Sequence, residues 1–284
     1  MREQDWQLLL RRIESGNCTP FLGAGAAAGV LPVGSQIAED WAALEGYPLD
    51  DRHDLARVAQ FLGVHLDAME PKDRMCQLVR GLGQPDFSKP NQPHSALAEL
   101  PFPIFMTTNY DDFMAEALRY HNKDPRVELC RWNPRVQREP SVLDDPSFAP
   151  TPANPVVYHL HGHNRLPDSL VLTEDDYFAF LVEVSRDDKL LPHQIQRALA
   201  GTSLLFVGYR LADWDFRVLH RGLVMASDPT LRRMSVTVQL PHSELAQRYL
   251  DKYFDALKVR VYWGEGEDFV TELRERWREF QHAG

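Results

Sequence analysis

Between Pro103 and Asp112 the chain passes from apolar to polar within a few residues, and this stretch limits the folds open to it. Ile104-Phe105-Met106 is apolar on successive positions, as in a central strand covered on both faces. Thr107-Thr108-Asn109-Tyr110-Asp111-Asp112 follows at the carboxyl end, and a helical pattern begins at Phe113-Met114-Ala115. Open parallel sheets take their ligands at the carboxyl ends of strands. An amide and two carboxylates placed there can hold a polar ligand, or they can cap the next helix. A second doubly apolar run, Leu204-Leu205-Phe206-Val207, ends at Gly208. Strand-like and helical patterns alternate along the whole chain. The expected fold is therefore α/β: a Rossmann-like, mainly parallel sheet with helices on both faces.

Other patterns fill in the order. Trp6, Leu9, Leu10 and Ile13 mark a helix over 3–15. Cys18 to Leu22 reads as a strand running into Gly23-Ala24-Gly25 and then a helix. Small residues let backbone N–H groups approach a pyrophosphate at a helix N-terminus; equally, glycine serves any tight strand–helix connection. Helical patterns at 35–45 and in two pieces over 52–82 place a small helical insertion at about 45–92, covering one edge of the sheet. Its His53 and His65 read as surface or packing residues. From about 122 to 155 seven prolines form a Pro-rich excursion, either a lid or a plain surface loop.

Val156 to Gly162 reads as a strand that carries His159 and His161, with His163 just beyond. Three readings stand: a metal site, one catalytic histidine, or packed structural histidines. Ser169 to Leu172 reads as a short strand, and Thr173 opens a helix to about 187. Another helix spans about 190–200. After Gly208 come a polar stretch, Tyr209 to Asp215, and a helix from Phe216. The last strands are Met234 to Leu240 and Val259 to Trp263, with a helix between them and an amphipathic helix closing the chain. One domain over 1–284 is expected.

Composition excludes several classes. The net charge is 31 − 41 = −10, which disfavours binding that depends on neutralising phosphates, so no direct nucleic-acid binding is expected. No apolar run reaches membrane-spanning length, and Met1 to Trp6 lacks a signal-peptide core. Cys18, Cys76 and Cys130 form no Cys-x-x-Cys pair, so neither a disulfide framework nor a zinc ribbon is expected. A reducing cytoplasm fits.

Taken in order, Gly23-Ala24-Gly25, Thr108-Asn109-Tyr110-Asp111, His159-Leu160-His161-Gly162 and Val207-Gly208-Tyr209 resemble the sirtuin-like superfamily. The set most resembles the sirtuin-like domains of prokaryotic antiphage defence, over about residues 17–217. That resemblance implies NAD on a Rossmann-type sheet. Gly23 and Gly25 would lie against the pyrophosphate, Asn109 beside the nicotinamide ribose, and Asp111 near the carboxamide. His161 would meet the ribose hydroxyls and Gly208 the adenosine half. Ala24, Thr108 and Tyr209, their neighbours in the same motifs, are expected beside the same nucleotide. Two departures stand out: the paired cysteines of protein-deacylating sirtuins are absent, and Leu31-Pro32-Val33-Gly34-Ser35 replaces their Pro-Asp-Phe-Arg stretch. Both argue against deacylation.

The resemblance thus implies an NAD hydrolase with Asn109 and His161 catalytic, NAD as substrate and no metal, depleting NAD during phage infection. The rivals are an NAD or ADP-ribose sensor that gates a partner, and a protein deacylase or ADP-ribosyltransferase. A toxic hydrolase needs restraint, so a regulatory or sensor protein encoded nearby, or assembly into a homo-oligomer, is expected.

Overall fold

A computed structural model describes residues 1–186, 190–209 and 233–283. Seven strands are described: β1 (Cys18–Leu22), β2 (Ile104–Thr107), β3 (Arg126–Leu129), β4 (Val156–His159), β5 (Ser203–Val207), β6 (Ser235–Gln239) and β7 (Val259–Trp263). They form one sheet in the order β3-β4-β2-β1-β5-β6-β7, and every pairing is parallel. From β1 the chain builds one half of the sheet and then returns to the other side of β1 at β5. The topological switch point, where ligands enter such sheets, therefore lies between β1 and β5.

The described helices are α1 (Glu3–Glu14), α2 (Gly34–Glu45), α3 (Leu55–His65), α4 (Glu70–Gly81), α5 (Pro93–Ala98) and α6 (Phe113–Tyr120). After them come α7 (Glu174–Arg186), α8 (His193–Gly201), α9 (Glu244–Asp255) and α10 (Gly266–Ala283). Successive strand residues serve opposite faces, as the pleat requires. Leu22, Phe105 and Leu205 pack with Trp6 and Leu9 of α1, Ala115 of α6 and Phe269 of α10. Their neighbours Phe21, Met106 and Phe206 pack on the other face with Phe180 of α7, Ile195 of α8 and Phe254 of α9. Burying each such side chain contributes about 1.5–3 kcal/mol, and the doubly covered sheet explains why its strands are apolar on both faces.

A third cluster joins Ile37 and Trp41 of α2, Val58 and Leu62 of α3, and Met75 and Val79 of α4 to Leu170 and Leu172. The helical unit thus begins at Gly34. Asp54 starts α3 by accepting from the Ala56 and Arg57 N–H groups.

Several expectations need correction. The turn after β1 leads into a single 3-10 turn, Ala24–Ala27, and not into an α-helix. The Pro-rich excursion contains β3, which among the described strands stands at the sheet edge and pairs with β4 alone. β4 stops at His159, so His161 stands two residues past the strand. Ser169 to Leu172 is no strand: Pro167–Ser169 is a 3-10 turn, and Val171 N–H donates to His161 O, outside any ladder. The polar stretch from Arg210 and the helix expected from Phe216 lie outside the described residues.

Candidate active site

The register aligns the carboxyl ends that matter. Leu22 pairs with Thr107 on one side and Val207 on the other, and Thr107 pairs with His159. Gly23, Thr108, Leu160 and Gly208 therefore stand in one row along the carboxyl edge, next to the switch point.

Gly23 and Gly25 belong to a close contact between the β1 and β5 ends. Gly23 N–H donates to Val207 O and Gly25 N–H donates to Gly208 O, both at 2.9 Å. These two donors are committed to protein. Gly208 has φ +83, and a Cβ there would lie 2.2 Å from Ala26 N. Ala24 and Gly25 are exposed, so the turn offers a ligand its bare backbone surface. Tyr209 closes the junction: its hydroxyl donates to Leu22 O (2.9 Å), and the Thr108 hydroxyl donates to it (2.7 Å).

Asn109 is buried and tightly held. Its N–H donates to Thr107 Oγ1 (2.9 Å), its carbonyl accepts from His159 Nδ1 (2.9 Å), and its Nδ2 donates to Gly23 O (3.1 Å). The Gly23 acceptor fixes which end of the amide is nitrogen. Oδ1 is left without a partner among the described residues.

Asp111 unites the cap and the ligand readings. Its Oδ1 accepts the Phe113 N–H at the start of α6 (3.0 Å), while Oδ2 is buried without a partner among the described residues. Burial pushes this carboxyl up to about 7, against the pull of the Phe113 N–H. An orphaned buried carboxylate oxygen is costly, and that cost is characteristic of functional sites.

The three histidines separate. His161 packs edge-on between Tyr177 and Phe180 of α7, with ring centroids at 5.4 and 5.3 Å. It is 3% exposed, and burial holds its pKa down to about 3, so the imidazole is neutral. His159, 1% exposed, is also pushed down to about 3, by burial and then by His163. His163 accepts the Arg165 N–H at Nδ1, so its proton sits on Nε2 and is donated to Asp112 Oδ1 (3.1 Å). Burial works against the Asp112 charge, but the hydrogen bond from His163 and the charge of Arg165 outweigh it and hold this carboxyl below its usual range. Among the described residues no group of three or more His, Cys, Asp or Glu side chains is arranged to hold a metal.

Gly162 shapes the turn that presents His161. Its φ is +87, and a Cβ would lie 2.2 Å from Ser169 O. Trp132 Nε1 donates to that same carbonyl (2.8 Å). Sequence reading missed Tyr177 and Phe180 as the cover on His161; a helix beginning at Thr173 carries no local sign of what its inner face touches.

Three curated relatives share the name NAD(+) hydrolase ThsA. That of Acinetobacter baumannii is 24% identical over 210 residues, covering 72% of this chain and 39% of the relative. That of Cytobacillus dafuensis is 26% identical over 212 residues (74% and 38%), and that of Bacillus cereus 26% over 207 residues (72% and 39%). The chain thus spans about two fifths of the length of the curated relatives it matches. A SIR2-like domain profile matches residues 103–262, more than half of the chain and the part that carries Asn109, Asp111, His161 and Gly208, and the chain accordingly belongs to the SIR2-like domain family.

Proposed function

We propose that this chain hydrolyses NAD+ at the nicotinamide–ribose bond, releasing nicotinamide and ADP-ribose. The observation that carries the reading is Asn109. Its backbone groups and its Nδ2 are bonded to protein, and Oδ1 alone is left to accept from a water. Such bonds break through an oxocarbenium-like transition state. Water adds to the anomeric carbon, the C–N bond pair moves onto the nicotinamide nitrogen, and the water's proton leaves. Nicotinamide departs neutral, so no strong acid is required. The neutral His161 imidazole hydrogen-bonds the ribose hydroxyls, and the unpartnered Asp111 oxygen meets the carboxamide. Gly23, Ala24, Gly25, Thr108, Gly208 and Tyr209 line the pyrophosphate and adenosine side.

The names of the relatives support the same chemistry. In this reading residues 1–284 act as one NAD-cleaving domain of the cytoplasm. It depletes NAD during phage infection, as a homo-oligomer or under a regulatory protein encoded nearby. The test is to incubate purified protein with NAD, with and without the neighbouring gene product, and to measure nicotinamide and ADP-ribose. Asn109→Ala should abolish release while the variant melts normally. Near-normal turnover by folded Asn109→Ala would sink the assignment.

A further inference from the structure

Two loops meet at the site and are laced together. The loop after β2 carries Asn109 to Asp112, and the loop after β4 carries Leu160 to Val171. His159 Nδ1 donates to Asn109 O (2.9 Å), Asn164 N–H to Tyr110 O (2.9 Å), and Tyr110 hydroxyl to Val171 O (2.7 Å). His163 Nε2 (3.1 Å) and Arg165 (2.6 Å) both donate to Asp112 Oδ1. The first of these bonds falls on the residue whose amide orientation matters most.

We infer that His159 is the positioning residue that fixes the Asn109–Tyr110 peptide, and through it aims the Asn109 amide. The inference rests on the NAD-cleavage reading for its kinetic test only. Because the bond is made to a carbonyl, Nδ1 must carry the ring proton, which leaves Nε2 bare. Nε2 is buried with no partner among the described residues. An apolar residue would fill this place without that unmet acceptor, so packing alone does not account for a histidine here. The cross-strand pairing of His159 with Thr107 puts its ring beside the residue two before Asn109. Thr107 Oγ1 in turn accepts the Asn109 N–H. The two sides of the Asn109 backbone are therefore gripped by one pair of neighbouring strand ends. His163 stands edge-on to the His159 ring, with centroids 4.5 Å apart, and is itself pinned by Asp112 and the Arg165 backbone.

The test compares His159→Ala with His159→Asn, whose side-chain nitrogen reproduces the Nδ1 donor. Both are made in the full chain, and their melting is recorded. Displacing a reacting group by about 1 Å can cost on the order of 10²-fold in rate. His159→Ala should accordingly lower kcat for NAD cleavage by about that factor, with ADP-ribose affinity by calorimetry within a few-fold of wild type. His159→Asn should recover at least tenfold of the loss. A folded His159→Ala protein that turns over within threefold of wild type, or an Asn variant no better than Ala, overturns the inference. A second readout does not need turnover. In protein labelled with 15N only at asparagine, the Asn109 side-chain amide is identified by its absence in Asn109→Ala. Its resonances should move in His159→Ala and return in His159→Asn. If wild type cleaves no NAD, the functional reading fails while this signal still decides the positioning role; an Asn109 amide unmoved by His159→Ala overturns it.

Discussion

Gly208 and Gly25 touch backbone to backbone: Gly25 N–H donates to Gly208 O at 2.9 Å, and a Cβ on Gly25 would sit 3.0 Å from Gly208 Cα. The two positions are not equally sensitive. Gly208 also has φ +83, with the space for its Cβ already filled by Ala26 N. Gly208→Ala should therefore cost about 3 kcal/mol or more. Gly25→Ala should cost clearly less, since only a few tenths of an ångström of give is needed. Urea unfolding of the two variants checks the order, and a Gly208→Ala protein as stable as wild type would contradict it. Gly25→Val should cost more than Gly25→Ala, because its branched side chain must be placed against the Gly208 backbone.

Asp111 sets a pH dependence with a definite sign. Its folded value of about 7 lies above its ordinary 3.8. The protonated carboxyl contributes stability that is fully present below about pH 4 and is lost as pH rises through 7. Asp111→Asn should open a stability gap over wild type that grows from pH 4 to 7 and is level above, up to about 4 kcal/mol. Melting at pH 5 and pH 8 measures it. The pH profile of kcat/KM for NAD should lose its limb near pH 7 in the same variant.

The buried histidines work in the opposite direction. Burial lowers His94 to about 4, and His159 and His161 to about 3. Each contributes stability that is present above its ordinary 6.5 and is lost as pH falls toward those values. Three such groups opposed by Asp111 leave a net slope of about 3 kcal/mol per pH unit between pH 6.5 and 4. Since domains of this kind have only about 5–15 kcal/mol in hand, unfolding should set in near pH 5. A urea midpoint that does not move between pH 7 and pH 5.5 would rule this out.

Lys72 of α4 and Asp176 of α7 pair at 2.8 Å, with side chains 9% and 13% exposed. Among the described residues, Lys72→Met leaves the Asp176 carboxylate with its Leu172 and Thr173 N–H donors alone, and should cost about 3 kcal/mol. Amide exchange at Tyr177 to Phe180 should quicken with it. Adding Asp176→Asn should return part of the stability, because the stranded charge is then gone.

The legible parts were those in which local chemistry and burial agree. Ile104 to Thr107 and Ser203 to Val207 are apolar on both faces because both faces are covered. β3 escaped because Arg126-Val127-Glu128-Leu129 alternates charge with apolar residues at a sheet edge, among prolines. Leu170-Val171-Leu172 imitates a strand, but its apolar side chains serve the helical unit and the β4 face. Of the site, Asn109, Asp111 and His161 were visible as motif residues. The roles of His159 and of Tyr177 and Phe180 were not. His159 reaches Asn109 only through a pairing of strands some fifty residues apart, and that register is a tertiary fact.

Leu22 contributes something that no substitution at that position removes. Its carbonyl accepts from Thr107 Oγ1 (3.1 Å), from Thr108 N–H (3.1 Å) and from the Tyr209 hydroxyl (2.9 Å). Three donors thus converge on a single main-chain oxygen where the β1, β2 and β5 ends meet. A side-chain anchor at this point would be open to mutational drift, whereas a peptide carbonyl is supplied by every amino acid. Chains identical at only about a quarter of their aligned positions, as this one and its relatives are, can therefore keep such wiring at the strand ends while the side chains around it are rewritten.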